Sequence, residues 1–208
     1  QTPSYTVEDG TTLLDTPEGP MPIEVFGAHN LNNLAGAKWI CQNMGVDEAD
    51  FYEAIATFKG ASKRLEKIAE GKGKVAYKDF AHSPSKVSAT TKAVKNQYPN
   101  RKLIACLELH TYSSLNAEFL KEYQNALDAA DVAVVFYSPD AVKIKQLEEV
   151  TYEQIAQSFQ REDLIIYTNP ADFKNFLFGQ NFDNSALLLM SSGNYGGLNF
   201  DEVKQLMN

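Results

Sequence analysis

The tract Lys78-Asp79-Phe80-Ala81-His82-Ser83-Pro84 places a carboxylate and an imidazole close together in a polar stretch of the sequence. Asp79 could hydrogen-bond a ligand hydroxyl group, and His82 could hydrogen-bond a ligand carboxylate. A structural role at a helix N-terminus would also explain the tract, because Ser83 followed by Pro84 is a favourable capping pair. The two roles are compatible, since the N-terminus of a helix also attracts anions.

Two further polar tracts follow apolar runs later in the chain. One spans residues 108–114 and contains His110, and the other spans residues 191–197 and contains Ser191, Ser192 and Asn194. In open α/β sheets, ligands bind where loops leave the carboxyl ends of the strands. We therefore expect the three tracts to converge on one cleft.

The remaining histidine of the three in the chain, His29, lies in the polar stretch of residues 27–33. A histidine is ordinarily a surface or hydrogen-bonded core residue, but all three occupy loop or helix-start positions with polar neighbours. A zinc site is not expected, because no pair of histidines has the short spacing of metal ligands. Lys63-Arg64 is either a solvated face or a phosphate contact, since a guanidinium can donate two parallel hydrogen bonds.

Two nucleotide-binding motifs are missing from the sequence. The glycines of residues 191–197 do not predict a dinucleotide site, because only about ten residues follow Gly197 and no further strand can supply an acidic ribose contact. A Walker phosphate loop is also absent. We therefore expect this segment alone neither to bind nor to cleave ATP. An opening Gln1 in place of Met is compatible with a fragment of a longer protein.

The composition favours an ordinary globular protein that does not bind nucleic acid. Apolar residues make up 44% of the chain and charged residues 22%, and the formal net charge is -8, whereas phosphate backbones require a basic face. The first residues do not show the basic-then-apolar pattern of a signal peptide, and no apolar stretch approaches the ~20 residues of a membrane span. A cytoplasmic location without a membrane partner is expected. Cys41 and Cys106 are predicted to be small buried residues with free thiols.

Hydrophobic patterns divide the sequence into two parts. Residues 1–59 contain short strands, the last at 23–26, and then two helices at 32–44 and 47–58, which together look like the end of a larger domain. Residues 59–62 are the expected hinge. From residue 64 onward, apolar runs alternate with helices, which predicts an α/β fold with a mostly parallel, Rossmann-like sheet covered by helices on both faces. The predicted strands are 75–77, 103–107, 132–136, 164–167 and 186–190, and the predicted helices are 85–98, 116–130, 151–159, 170–178 and 198–207.

Four tracts of this sequence resemble motifs of the Mur ligases of peptidoglycan metabolism. Residues 27–33 match G-x-H-N-x-x-N, residues 58–66 are similar to F-x-G-x-x-R-R-L/F-E, residues 78–84 resemble D-D-[FY]-[AG]-H-H-P, and residues 190–197 look like the family's last strand and glycine loop. The four occur in the family's order and span nearly the whole chain. The sequence departs from the family motifs at three positions, where Lys63, Lys78 and Ser83 replace an Arg, an Asp and a His.

The resemblance implies the C-terminal part of a three-domain, ATP-dependent and ADP-forming ligase. Residues 1–59 would end the central ATP-binding domain, and residues 60–208 would form the C-terminal substrate and closing domain. In the family, a substrate carboxylate attacks the γ-phosphate of ATP, and an amine captures the acyl phosphate to give an amide. ATP and Mg²⁺ are the implied cofactors, held mainly by other parts of the enzyme. A domain that closes over an acyl phosphate excludes water.

The same resemblance implies a role for each site residue, with no metal ligand among them. The residues that would bind the nucleotide are His29, Asn30 and Asn33 at the adenine and Asp79 at the ribose. The catalytic residues would be Arg64, which reaches the phosphates or reaction centre on closure, and His82. The residues that would face the incoming amine substrate are Ser83, His110, Ser191, Ser192 and Asn194.

The implied partners are UDP-N-acetylmuramate, an amino acid or peptide, and the remaining domains of the same enzyme. Residues 190–197 are most similar to family members that attach a recycled murein tripeptide, so the tripeptide is the expected amine. Residues 109–113, however, are similar to the P-H-R-Y-T tract of members that add L-alanine. The residues are also compatible with a non-catalytic α/β ligand-binding module, or with a ligase of the same superfamily that has another substrate, such as a folate polyglutamate ligase.

Overall fold

The chain forms two β-sheets in a computed structural model that describes residues 2–148 and 150–207. The first sheet is antiparallel, with strands β1 (Tyr5–Glu8), β2 (Thr11–Thr16) and β3 (Gly19–Ile23). Helices α1 (Ala28–Asn43) and α2 (Glu48–Ala56) follow. A small core holds this unit together, formed by Leu14, Ile23, Leu31, Leu34 and Phe51.

The strand predicted at residues 23–26 was wrong, because β3 runs earlier and contains Pro20 and Pro22. Proline has no N–H group to donate to a ladder, so it is confined largely to edge strands. β3 pairs only with β2 and is therefore such an edge. The two prolines concealed this strand from the sequence pattern.

The second sheet has six strands in the order β4-β5-β9-β6-β7-β8. β4 is antiparallel to β5, and the other neighbours are parallel. This arrangement confirms the predicted mostly parallel α/β fold. The strands are β4 (Glu66–Gly71), β5 (Lys74–Asp79), β6 (Lys102–Leu109), β7 (Val132–Tyr137), β8 (Ile165–Tyr167) and β9 (Ser185–Met190).

Helices cover both faces of this sheet. The intervening helices are α3 (Pro84–Gln97), α4 (Ala117–Leu120), α5 (Pro139–Ile144), α6 (Tyr152–Phe159), α7 (Pro170–Phe178) and α8 (Phe200–Gln205). Alternate strand residues belong to opposite cores, so that Val75 and Leu103 pack with α3 and α6, whereas Ala76 packs with α7 and α8. The sheet is therefore a buried central layer, as the apolar strands predicted.

One predicted helix, at residues 116–130, was wrong over most of its length. The α-helix ends at Leu120, a short 3-10 turn follows, and Asn125 adopts a left-handed φ of 60° that an α-helix cannot contain. Tyr123 and Leu127 in this segment are nevertheless buried in the core. The spacing of the apolar residues in this segment therefore indicates that they are buried, but it does not indicate helical hydrogen bonding.

The two units meet through a buried contact beside α3. The Gln97 side chain accepts a hydrogen bond from Thr12 Oγ1 at 3.1 Å and donates one to the Gly10 carbonyl at 2.6 Å. Next to it, the rings of Phe26 and Tyr77 pack edge to face with centroids 5.2 Å apart. Residues 58–61 between the units have no regular structure, and the division into domains at residue 60 stays a prediction.

The outer face of α1 carries large apolar side chains that the structure leaves exposed. Trp39 is 68% exposed, and Ile40 on the same helix and Met44 just after its end are also exposed. Cys41 is half-buried and Cys106 fully buried, and both are free thiols. Within the described residues, no helix is both long and apolar enough to cross a lipid bilayer.

Candidate functional site

The carboxyl ends of β5, β9 and β6 lie side by side, because these three strands are parallel neighbours in the sheet. Asp79 and Leu107 both lie in register with Met190, and the Ser191 amide donates to the Asp79 carbonyl at 3.0 Å. The three polar tracts of the sequence therefore leave the same edge of the sheet.

A cleft of about 660 Å³ opens between α1, residues 58–64, the end of β5 and the start of α3. Its walls are mainly apolar side chains such as Val25, Leu34 and Ile55. The polar and charged residues that line it are His29, Asn30, Asn33, Arg64, Asp79, Ser85, Lys86 and Thr90. All four predicted nucleotide-binding residues and Arg64 are thus brought to one cleft. Ser85 and Lys86 were not identified in the sequence, although they follow the Ser83-Pro84 pair directly.

Asp79 is a buried carboxylate, 5% exposed, that organises one wall of this cleft. Its Oδ2 accepts a hydrogen bond from the Leu65 amide and its Oδ1 accepts one from the Ala81 amide, each at 2.6 Å. The Phe80 amide also donates to the Lys63 carbonyl at 2.9 Å. Asp79 therefore ties the end of β5 to the segment that carries Arg64.

Arg64 lies between two residues with left-handed backbone conformations. Lys63 has a φ of 57° and Leu65 a φ of 45°, although residues other than glycine rarely adopt a positive φ. The Asp79 contact to the Leu65 amide stabilises this turn. The exposed Arg64 side chain lines the cleft as a result, so a guanidinium faces the residues of α1.

His29 lies in the first turn of α1 and faces two charged groups across the cleft. Burial lowers the pKa of His29 below its ordinary value, the Asp79 carboxylate raises it, and the Arg64 guanidinium lowers it. The net effect favours the neutral imidazole. Asn30 lies beside it, and its side chain donates to the Phe26 carbonyl at 3.0 Å.

This lowered pKa predicts that His29 makes stability depend on pH. The unfolded chain takes up the histidine proton at higher pH than the folded chain does, so folding loses free energy as the pH falls below about 6.5. His29→Gln removes this contribution. Urea unfolding between about pH 7.5 and about pH 5.5 should show a steeper loss of stability in the wild type than in the variant. Parallel curves would contradict a lowered pKa of the half-buried His29 imidazole.

His82 and Ser83 are held by contacts at the start of α3. His82 Nδ1 lies 2.8 Å from the Phe80 carbonyl, and the Tyr123 hydroxyl donates to the His82 carbonyl. Ser83 is the N-cap residue of α3 and Pro84 is in its first turn, although the Ser83 side chain makes no capping hydrogen bond. Both residues are half-buried, and neither is among the residues that line the cleft described above.

A second group of polar residues surrounds Glu108, which no sequence motif indicated. Glu108 is 3% exposed, and its Oε2 accepts hydrogen bonds from Ser191 Oγ and, at 2.9 Å, from the Tyr195 amide. Its Oε1 lies 3.8 Å from His110 Nδ1. The sequence signals are that Glu108 begins the polar tract of residues 108–114 and is the one charged residue within residues 103–109.

Of the predicted substrate-facing residues in the last two tracts, His110 and Ser191 lie against Glu108, and Ser192 and Asn194 follow Ser191 on the same loop. Ser191 Oγ accepts a hydrogen bond from the Gly193 amide at 2.6 Å, and Ser192 Oγ is buried without a hydrogen-bond partner in the described structure. Asn194 is exposed and its side chain accepts from the Gly197 amide at 3.2 Å. Among residues 2–148 and 150–207, no group of three or more His, Cys, Asp or Glu side chains could hold a metal ion.

The cleft and the Glu108 group lie at one edge of the sheet but on opposite faces. Asp79 shares the face of Val75 and Tyr77, which α3 covers, whereas Glu108 shares the face of Cys106, which α7 and α8 cover. The structure therefore brings the predicted nucleotide residues together in one place and His110, Ser191 and Glu108 in another. The expectation that the three tracts converge on one cleft was wrong, because no residue of 108–114 or 191–197 lines the cleft that contains Asp79.

Comparison with known proteins identifies the same family as the four sequence motifs did. Residues 63–193 match the family model described as Mur ligase, glutamate ligase domain. UDP-N-acetylmuramate--L-alanine ligase of Microcystis aeruginosa is 34% identical over 157 residues, which cover 73% of this chain and 32% of that protein. The chain spans about a third of the length of the curated relatives it matches.

Solved structures share the fold. UDP-N-acetylmuramate-alanine ligase from Thermotoga maritima superposes with a TM-score of 0.70 at 15% identity, over 98% of this chain and 44% of that one. A murein peptide ligase from Psychrobacter arcticus gives 0.61 at 21% identity, over 95% and 42%. The family match covers well over half of the 208 residues, so this chain belongs to the Mur ligase family and carries its C-terminal glutamate ligase domain.

Proposed function

We propose that this chain is part of an ATP-dependent, ADP-forming ligase that joins an amino acid or peptide to UDP-N-acetylmuramate for peptidoglycan. The relative at 34% identity carries the name UDP-N-acetylmuramate--L-alanine ligase, and the family match covers most of the α/β unit. The observation that carries the proposal is the cleft between α1 and α3, where Arg64 faces His29 and Asn30. A domain boundary at residue 60 would make this an interdomain cleft.

The residues present in the cleft fit a nucleotide. Apolar side chains line most of its 660 Å³, which suits a flat base, and the exposed cations Arg64 and Lys86 suit phosphate groups. We place His29, Asn30 and Asn33 beside the base and Asp79 near the ribose. When bound, ATP with Mg²⁺ supplies the phosphoryl group that activates the carboxylate of the acceptor.

The remaining residues would bind and orient the other substrates. Arg64 would hold negative charge at the phosphates when the parts of the enzyme close, and closure would exclude water. His82 would orient the reacting groups from the start of α3. Ser83, His110, Ser191, Ser192 and Asn194 would face the amine. Mg²⁺ and the main phosphate contacts would come from protein outside these 208 residues, and a cytoplasmic location stays a prediction.

We propose L-alanine as the amine substrate, in preference to the murein tripeptide expected from residues 190–197. The names of the curated relatives favour alanine, and so does the resemblance of residues 109–113 to the P-H-R-Y-T tract. The solved murein peptide ligase, at 21% identity, supports the fold and does not favour its own substrate.

The test is phosphate release by the full-length enzyme with ATP, Mg²⁺ and UDP-N-acetylmuramate. We expect release with L-alanine and at least tenfold less, in kcat/KM, with L-Ala-γ-D-Glu-diaminopimelate, a difference of about 1.4 kcal/mol. Reactions without UDP-N-acetylmuramate serve as the control. Turnover with the tripeptide but not with L-alanine would show that the tripeptide, and not L-alanine, is the amine substrate. Absence of turnover with either amine would favour a non-catalytic ligand-binding module.

A further inference from the structure

The Glu108 carboxylate connects two segments that are far apart in the sequence. It stands at the end of β6, just before His110, and it accepts hydrogen bonds from Ser191 Oγ and the Tyr195 amide, which follow β9. Ser191 Oγ in turn accepts from the Gly193 amide at 2.6 Å. One buried carboxylate therefore fixes the backbone of residues 191–195.

The packing around this carboxylate leaves little freedom. A β-carbon added to Gly193 would lie 2.8 Å from Glu108 Oε2 and 3.0 Å from His110 Cγ. The Tyr195 ring is buried and stacks on Phe173 with centroids 4.9 Å apart, and its hydroxyl lies within hydrogen-bond distance of the Cys106 and Met190 carbonyls. Residues 191–195 are thus anchored at both ends, with Ser192 and Gly193 between.

A fixed loop has a consequence for the side chains on it. Ser192 Oγ is buried without a partner in the described structure, and such a hydroxyl is costly unless something completes its hydrogen bonding. His110 Nδ1 lies 3.8 Å from Glu108 Oε1, beyond ordinary hydrogen-bond distance. The partly exposed His110 ring therefore retains capacity to bind a polar molecule.

We propose that Glu108 is a positioning residue for the amine substrate. It holds the loop of residues 191–195 against the end of β6, beside the partly exposed His110 ring. The proposal rests on the proposed function, in which these residues face the amine. Glu108 does not itself need to contact the substrate.

Three variants of the full-length enzyme test whether Glu108 holds the loop of residues 191–195 by hydrogen bonds or only fills space in the core. Glu108→Leu removes both acceptor oxygens and leaves the Ser191 hydroxyl and the Tyr195 amide without the acceptor to which they donate. Glu108→Gln keeps one oxygen that can accept both bonds and turns its amide group toward His110. Glu118→Gln is the surface control, because Glu118 is exposed and pairs only with Lys121 among the described contacts.

Kinetics and hydrogen exchange are the two measurements. We expect Glu108→Leu to raise the KM for the amine about tenfold and to leave the KM for ATP within about twofold, with Glu108→Gln close to wild type. Amide exchange in residues 191–198, followed by mass spectrometry, should accelerate at least tenfold in Glu108→Leu and stay unchanged in Glu118→Gln.

The outcomes distinguish this proposal from the proposed function. Unchanged exchange and unchanged amine KM in folded Glu108→Leu would overturn the positioning role, as would an equal rise in both KM values. Inactivity of the wild type would remove the proposed function, and the exchange measurement would still decide whether Glu108 holds the loop. If Glu108→Leu does not fold, Ser191→Ala removes one of the two bonds and should show the same pattern to a smaller extent.

Discussion

Replacement of Asp79 by asparagine is expected to lower the free energy of unfolding by about 2–4 kcal/mol and to weaken nucleotide binding about tenfold. Each carboxylate oxygen accepts one backbone amide, from Leu65 or Ala81. Asparagine has one oxygen, so its amide group must face one of these donors and leave it buried without a partner. The turn that presents Arg64 to the cleft would lose its support.

Asp131→Asn is the matched control for this substitution. Asp131 also accepts a backbone amide, from Leu103 at 2.6 Å, but it is exposed and lies at the opposite edge of the sheet. We expect it to destabilise by about 1 kcal/mol and to leave nucleotide binding unchanged. Urea unfolding and nucleotide titration of the full-length enzyme measure both effects. Wild-type values for Asp79→Asn would show that its two backbone contacts do not shape the cleft.

Gly27→Ala is expected to destabilise the protein by about 2–4 kcal/mol. Gly27 precedes α1 with a φ of 86°, which a side chain strains, and an added β-carbon would lie 2.7 Å from Ala93 Cβ on α3. Neither β-carbon can rotate away, so the backbones of α1 and α3 must separate. His29 and Asn30 would move with the start of α1, which widens the cleft.

The matched control is Gly36→Ala in the same helix. Gly36 lies in the middle of α1, and an added β-carbon would meet no atom within 4 Å. Alanine is a better helix former than glycine, so this variant should gain roughly 0.5–1 kcal/mol. Opposite shifts in the urea midpoint for the same chemical change would show that the loss at Gly27 comes from its backbone conformation and its close approach to Ala93. Equal shifts would contradict both the strained conformation and the close approach.

The apolar runs of the sequence predicted most of the second sheet, because its parallel strands are buried on both faces. β4 was missed because it is a short edge strand in which three of the six residues, Glu66, Lys67 and Glu70, are charged. The segment after Leu120 was assigned as a helix because its buried residues recur at helical spacing. Burial sets such a pattern, and it does not reveal the left-handed turn at Asn125.

The candidate site was predictable where a motif placed polar residues at strand or helix ends, as with Asp79 and His29. The structure adds two features that no local pattern encodes. Lys63 and Leu65 adopt left-handed conformations that are held by hydrogen bonds from the end of β5. The Asp79 carboxylate accepts from the Leu65 amide, and the Phe80 amide donates to the Lys63 carbonyl. Glu108 acquires its importance from Ser191 and Tyr195, which lie 83 and 87 residues further along the chain.

The exposed Trp39 makes this protein's intrinsic fluorescence unusual. It is the one tryptophan in the chain, and it lies on the outer face of α1, away from the buried core of the second sheet. Its emission maximum should already lie near that of indole in water when the protein is folded. The emission spectrum will therefore respond little to unfolding of the second sheet, but a shift to shorter wavelength would signal that another surface has covered α1.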